Sequence, residues 1–389
     1  MFTLPDGPLS LYLHIPMCKS RCSYCAFYSE PAAHWQGRRE AYTERLIAEI
    51  EESGVAHRPL HTLYIGGGDP ANLGCDNLDA ILTVAQQGGA PDEVTIEVNP
   101  ESFDRSLFPL FEKHLVTRLS MGIQTMDQKI LRLLGRSATV EANRRALALA
   151  QEARRCHGID LSIDLMAALP SQTIAGTLFD LDEVLSLCDV EHLSLYCLTV
   201  EEGTALARDV GEGRVDILDE DGQESFLRAL WRGLADRGFE HYEISNFAKG
   251  GRYSRHNTVY WQLGDYLGLG SGAASTLGAI HLEQGQTLAR YTEAEPLSGY
   301  ECEETTSVER VEEYLMMGLR TMWGIDKGRF RSRYGIEFDR LFGNAIEHFD
   351  VNWYHNSEQF FSLTEDGWMV SDDILVRLVM EIPQSLDRS

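Results

Sequence analysis

Short β-like runs alternate with longer helical patterns throughout residues 9–196, and few folds accept that rhythm. The predicted strands are Leu9–His14, Thr62–Ile65, Val94–Val98, Arg118–Met121, Asp160–Leu165 and His192–Tyr196, each short and rich in Leu, Ile or Val. The predicted helices between them are Gly37–Glu52, Asp76–Gln87, Ser102–Lys113, Asp127–Leu134, Glu141–Cys156 and Gly176–Leu187. Ala142, Ala146, Leu149, Ala150 and Ala153 recur at helical spacing, with Arg and Glu on the opposite face. Such alternation implies an α/β protein with parallel strands and right-handed crossovers. An open doubly wound sheet and a partial (β/α)6 barrel both satisfy it. In either, chemistry gathers at the C-terminal ends of the strands. Gly66-Gly67-Gly68-Asp69-Pro70, Glu97-Val98-Asn99-Pro100, Gly122-Ile123-Gln124 and Asp164-Leu165 all fall there, which favours a barrel-like mouth around one ligand.

Beyond residue 200 the pattern changes. Asp221–Gly238 reads as a helix, Glu240–Ser245 as a strand, and Asn246–Leu277 is rich in Gly and aromatic residues. A soft boundary falls at Glu293–Gly299, followed by a helical Val308–Met322. Phe360–Leu363 and Val370–Ser371 read as a small hairpin, with turn chemistry in Thr364-Glu365-Asp366-Gly367-Trp368. The expected divisions are a barrel over 1–238, a β/aromatic-rich extension over 239–298 and a helix-plus-hairpin module over 299–389.

Composition narrows the partners. The formal net charge of −26 disfavours polyphosphate and anionic membranes, and no dense basic cluster offsets it. No run approaches the roughly 18 apolar residues of a membrane span. Met1–Leu11 lacks a basic region and is broken by Pro5, Gly7 and Pro8, unlike a secretory signal. A cytoplasmic protein is expected.

Eight cysteines are too few for a disulfide scaffold in a chain of 389 residues. Cys75, Cys156, Cys188, Cys197 and Cys302 are scattered and read as packing residues. Cys18, Cys22 and Cys25 instead stand at C-x3-C-x2-C spacing just after the first predicted strand. Thiolates suit zinc or iron–sulfur. Structural zinc usually takes four ligands, and no second pair or finger-spaced His follows. Three thiolates suit a [4Fe–4S] cluster with one iron left open to an exogenous ligand. A zinc-stabilised binding module and three unrelated core cysteines are the alternatives.

This spacing, with Tyr24 before the last cysteine, resembles the radical S-adenosylmethionine (SAM) superfamily. The resemblance implies that the open iron chelates the methionine part of SAM, which the cluster reduces to a 5′-deoxyadenosyl radical. It further implies that Gly67 and Gly68 lie along the SAM amino acid part, where a side chain would intrude. Asp69 stands where the family more often has Thr. By the same resemblance Glu97 and Asp164 take the ribose, Gln124 and Arg136 the carboxylate and sulfonium region, and Tyr12 and Tyr24 complete the site.

Over most of the chain the likeness is to the coproporphyrinogen dehydrogenase (HemN)/HemW group. It rests on Leu11–Pro16, Asp164–Gln172, Ser194–Gly203 and Tyr242–Lys249. The dehydrogenases carry a further cysteine two residues after the cluster motif, and here that residue is Phe27. His256-Asn257-Thr258-Val259-Tyr260-Trp261 resembles the H-N-x-x-Y-W signature of the HemW side of the group, with Thr258 replacing the usual Leu. That likeness implies a haem chaperone that delivers haem to apo-haemoproteins, fed by an unnamed electron donor, with His256 as candidate haem ligand. Oxygen-independent coproporphyrinogen III oxidation is the enzymatic alternative. Haem propionates are anionic, so a chain of net charge −26 must capture haem locally, through an iron–imidazole bond and aromatic walls.

Overall fold

Alternation of side chains along the strands builds the centre of the fold. The computed structural model describes residues 3–383 and Leu386. The outermost positions of the first and last expected segments (1, 2, 384, 385 and 387–389) lie outside the described residues. The six expected strands are present and run slightly longer: β1 Leu9–Ile15, β2 Leu60–Gly67, β3 Glu93–Val98, β4 Arg118–Gln124, β5 Asp160–Ala167 and β6 His192–Cys197. They pair in parallel in chain order. In β1, Leu9, Leu11, Leu13 and Ile15 form one buried row. Leu63, Ile65, Val94, Ile96, Leu119, Met121, Leu161, Ile163, Leu193 and Leu195 continue it across the sheet. These residues join Leu46, Ile50, Leu78, Ile81, Leu82, Ala146, Leu147 and Ala150 of the crossover helices in one contiguous core.

The other row is polar. Thr62 lies beside Glu93, Arg118 beside Asp160, Ser120 beside Ser162, and Asp164 beside Ser194. Parallel strands covered on both faces usually read as continuous apolar runs. A polar row on one face is therefore the mark of a sheet curved around a site.

The sheet does not close. It continues through β7 Glu240–Glu243, β8 Asn246–Ala248, β9 Tyr266–Leu269, β10 Ala274–Leu277, β11 Ile280–Gln284 and β12 Tyr300–Glu304. The order is β12-β11-β10-β9-β1-β2-β3-β4-β5-β6-β8-β7, twelve strands in all. Strands from the expected extension thus lie on both flanks of the barrel strands, and the sheet crosses the expected divisions at 238/239 and 298/299. A smaller three-stranded sheet, with Ile325–Asp326 and Tyr354–Asn356 flanking Phe360–Leu363, belongs to the C-terminal module. Among the described residues no helix is long and apolar enough to cross a membrane.

Two local expectations change. Ser102–Lys113 is a 3-10 turn at Arg105–Leu107 and then a helix only from Phe108. Pro109 lacks an N–H and fits only a first turn, so the α-helix begins just before it. The expected turn after Phe360–Leu363 is instead a helix, Glu365–Met369, whose N-cap Thr364 accepts from Gly367 N. Thr followed by two acids is as good a helix start as a turn. Trp368 decides between them by burying its ring and donating Nε1 to Leu319 O at 2.9 Å. Phe360–Leu363 pairs backwards, with Tyr354–Asn356.

A buried ion pair fastens the later segment to the floor of the sheet. Arg118 Nε donates to Glu93 Oε2 at 3.2 Å, and Arg118 Nη2 donates to the carbonyls of Arg252 and Tyr253, both at 2.9 Å. Glu93 accepts from the backbone N–H of Arg255 at 3.1 Å and of His256 at 3.0 Å. Removing one partner strands the other charge. Glu93→Ala is therefore expected to lower stability by about 3–5 kcal/mol in urea unfolding. A loss below about 1 kcal/mol would mean that Glu93 does not fasten the segment.

Candidate functional site

The C-terminal ends of β1 to β5 converge on the loop that carries the three cysteines. Cys18 follows β1 directly, in a two-residue bridge of Met17–Cys18 to Glu30–Pro31. Trp35 Nε1 holds the Cys18 carbonyl at 2.9 Å. Ser23 N donates to Leu134 O at 2.8 Å, and Leu206 N donates to Ser23 O at 2.8 Å, so the loop is pinned from two sides. Cys18, Cys22 and Cys25 are free and half-buried. Burial pushes the Cys18 thiol up to about 12 and raises that of Cys25, so both thiols resist ionising without a cation to hold.

The glycine loop is tight for stated reasons. A Cβ on Gly68 would lie 2.9 Å from Met17 N and 3.0 Å from Cys18 Sγ. Gly67 has φ +109°, and a Cβ there would meet His14 Cε1 at 2.6 Å. Gly67 N donates to Glu97 Oε2 at 3.0 Å, while Tyr64 Oη donates to Glu97 Oε1. Burial raises the Glu97 pKa against these two bonds.

Arg136 gathers the rest. Its Nη2 donates to Asn99 Oδ1 at 3.0 Å and to Gly122 O at 2.5 Å, and its Nη1 reaches Cys22 Sγ at 3.7 Å. Its Nε is buried with no acceptor. Burial opposes the charge, but Cys22, Tyr24 and Glu101 more than offset that, and its pKa is raised. Gln124 ends β4 at φ +65°, a left-handed conformation unusual outside Gly. Asp164 and Tyr24 close the mouth, with burial pushing Asp164 up to about 7.

Tyr12 and Asp69 have inward-looking roles. His14 Nε2 donates to Tyr28 O at 3.0 Å, so Nδ1 accepts from Tyr12 Oη at 2.8 Å. Asp69 is buried, with Oδ2 accepting from Asn72 Nδ2 at 3.0 Å and Oδ1 from Asn99 N at 3.3 Å. It ties β2 to the end of β3.

The structure thus places Tyr12, Tyr24, Gly67, Gly68, Asp69, Glu97, Gln124, Arg136 and Asp164 around one mouth with the cysteines. Tyr64, His14, Asn72 and Asn99 were missed as site residues. Tyr64 stands two residues before the glycine loop on the inward row, a strand-parity signal that could have found it.

His256 lies deeper, on the helix Arg255–Trp261, and is buried. Thr62 Oγ1 donates to Ser10 Oγ at 2.8 Å and so accepts from His256 Nδ1 at 2.7 Å. That leaves Nε2 to accept from Tyr260 Oη at 2.7 Å. The ring also stacks on Tyr64, with centroids 4.9 Å apart. Burial pushes its pKa down to about 3. Iron ligation by His256 requires Tyr260 to withdraw.

The donor set fits a cluster better than one ion. Among the described residues no three His, Cys, Asp or Glu side chains converge as a single-ion site. Ligands to one zinc must share one centre, whereas those of a cubane each hold a different iron. The Gly68 cradle against Cys18 and the guanidinium against Cys22 suit a compact, thiolate-bound group.

Comparison with known proteins agrees. The Radical SAM superfamily model matches residues 12–177, and the HemN C-terminal domain model matches 306–370. Heme chaperone HemW of Bacillus subtilis is 30% identical over 386 residues, covering 96% of this chain and 100% of that one. The chain belongs to the HemN/HemW group of the radical SAM superfamily. A mitochondrial radical S-adenosyl methionine domain-containing protein 1 of Mus musculus is 37% identical, covering 81% of this chain and 74% of its own. The solved coproporphyrinogen III oxidase HemN of Escherichia coli shares the fold, with TM-score 0.78 at 19% identity over 96% of this chain and 91% of that one. Membership implies a [4Fe–4S] cluster and SAM as cofactors.

Asp69 supplies a pH test. An unfolded Asp titrates near 3.8, and burial pushes this one up to about 7. Between those values the native state binds more protons than the unfolded state, so stability falls as pH rises through the window. Asp69→Asn should shift the slope of unfolding free energy against pH in the positive direction across that window. A slope that is unchanged or more negative counts against a buried, proton-holding Asp69.

Proposed function

We propose that this protein is a cytoplasmic haem chaperone of the radical SAM class, which binds haem and passes it to apo-haemoproteins. The observation that carries the reading is the contact between the SAM mouth and the Arg255–Trp261 helix. His256 stacks on Tyr64, and Tyr64 donates to Glu97, so the helix bearing the haem-associated signature rests on the mouth itself. The name of the Bacillus subtilis relative supports the same reading.

Cys18, Cys22 and Cys25 would hold the cluster, leaving one iron for the SAM amino acid part. When bound, the cluster would supply the electron for reductive SAM cleavage. Glu97, held by Tyr64 and Gly67, presents a fixed carboxylate to hydroxyl donors. Asp164 offers a second one across the mouth. Arg136 sets its guanidinium against Cys22 and holds the ends of β3 and β4 in register, and Gln124 turns its amide at the strand end. Tyr12, locked on His14, and Tyr24 exclude water. His256 holds Tyr260, and through it the aromatic wall where haem docks. Phe27, in place of a further cysteine, weighs against coproporphyrinogen decarboxylation.

Anaerobic reconstitution should give about four iron and four sulfide per chain. Cys18→Ala, Cys22→Ala and Cys25→Ala combined should abolish SAM cleavage while haemin uptake stays within about twofold of wild type. Formation of protoporphyrinogen from coproporphyrinogen III by the reconstituted protein would overturn the chaperone reading. Zinc in place of iron and sulfide would overturn the cluster.

A further inference from the structure

In a chain with 60 acidic residues, residues 18–29 and 128–140 hold none, yet they carry Lys19, Arg21, Lys129, Arg132 and Arg136. The two runs are far apart in sequence, and neither is dense in charge. Folding joins them. Ser23 N donates to Leu134 O at 2.8 Å, Ser23 Oγ to Leu133 O at 3.4 Å and Ser20 Oγ to Gly135 O at 3.4 Å. The helix Gln128–Leu133 therefore lies against the cysteine loop. Ile130, Leu131 and Leu134 are buried, which leaves Lys129, Arg132 and Leu133 on the outer side. Lys19 and Arg21 are exposed on the loop itself. We propose that this basic face is the docking surface for a small acidic protein that carries one electron to the cluster. The assignment rests on the cluster reading above and goes beyond it in naming where the electron enters.

These cations are uncommitted. Several surface arginines elsewhere pair with acids, as Arg105 with Glu152, Arg144 with Glu183 and Arg237 with Asp182. Among the described residues Lys19, Arg21, Lys129 and Arg132 have no carboxylate partner. Asp127, at the start of the helix, spends its carboxylate on the N–H groups of Lys129 and Ile130. Lys129 and Arg132 are neighbours at i, i+3, an arrangement of like charges that costs stability unless an anion answers it. Arg136 is the inward member of the set, with Nη1 3.7 Å from Cys22 Sγ.

Position selects the partner. An electron carrier must come close to the loop that holds the thiolates, whereas a nucleic acid or a membrane gains nothing from that place. At an ionic strength of about 0.1 M, charges more than about 10 Å away are largely screened. A small carrier seated on the loop thus meets the local cations. An extended anionic sheet would also meet the acids that give the chain its net charge of −26. Leu133 is 37% exposed and Phe27 76% exposed, so apolar surface stands among the charges, as in a docking site with a polar rim. Electron-transfer encounters are small and weak, and charge serves them by raising the on-rate. In the step itself one electron leaves the reduced carrier and enters the oxidised cluster. No bond forms or breaks, and no proton moves.

The test mixes the cluster-loaded protein with a reduced flavodoxin, an acidic one-electron carrier, and follows bleaching of the cluster absorbance by stopped flow without SAM. For wild type the second-order rate constant should fall as ionic strength rises from about 0.01 M to about 0.1 M, where the screening length drops from about 30 Å to about 10 Å. Lys129→Glu combined with Arg132→Glu should lower that constant at low salt by roughly tenfold or more and flatten its salt dependence, the size expected when steering is lost. Both residues lie outside the cysteine loop, so iron and sulfide content and full bleaching by excess dithionite should match wild type. Lys19→Glu combined with Arg21→Glu should act in the same direction. Arg333→Glu combined with Arg340→Glu makes the same change of net charge on exposed residues of the C-terminal module. It should leave the constant within about twofold of wild type, because distant charges are screened. An unchanged constant after the Lys129 and Arg132 changes, an equal fall after the Arg333 and Arg340 changes, or a salt-independent wild-type rate overturns the docking surface while the cluster reading stands. Loss of binding to phosphatidylglycerol vesicles after the Lys129 and Arg132 changes, with the reduction rate intact, gives the face to a membrane and overturns it as well. A wild-type protein that takes up no iron and sulfide removes the cluster reading and the docking surface together.

Discussion

A parallel sheet that is apolar on one face and polar on the other is stable only if the polar face satisfies itself. Most inward hydroxyls, carboxylates and imidazoles in this sheet sit where water is scarce, and an unpaired one costs about 1–3 kcal/mol. Low in the sheet the groups pair with one another. Thr62 joins Ser10 to His256, Ser162 joins His192 at 2.8 Å, and Arg118 joins Glu93. At the upper rim the same rows end in Gly66, Glu97, Gly122 and Asp164, groups that either make room or retain capacity to accept. The polar row is not fully satisfied below the rim either: Thr95 Oγ1 and Arg118 Nη1 are buried without a hydrogen-bond partner.

Arg136 and Tyr64 make this rim one unit. Arg136 crosses from the β3 and β4 ends to the cysteine loop, so the loop cannot shift without moving a buried guanidinium. Tyr64 links downward and sideways, from Glu97 at the mouth to the His256 ring beneath the aromatic helix. A ligand that moves Tyr260 is separated from Glu97 by three contacts, through His256 and Tyr64. That arrangement gives the cofactor end and the aromatic end a short physical connection within one rigid sheet.

The strands and most crossover helices were legible because apolar period and Gly or Pro ends are local signals. The three cysteines and the glycine loop were legible for the same reason, as their spacing lies within a few residues. Tyr64, Asn72 and Asn99 were not, since each acts on a partner from another strand or loop. The Thr364–Trp368 segment was misread because its local chemistry fits both a turn and a helix cap, and the burial of Trp368 settles which forms. The expected divisions at 238/239 and 298/299 followed changes in composition, whereas hydrogen bonding carries the sheet across both.

Sequence alone determined the α/β rhythm, the family and the thiolate set, because each is written in neighbouring residues. It named His256 from its motif, but not the environment of that ring. Only the tertiary structure shows both its nitrogens committed to Thr62 and Tyr260. The physical reason is that a side chain's type is local, whereas its free lone pairs depend on what the fold packs against it.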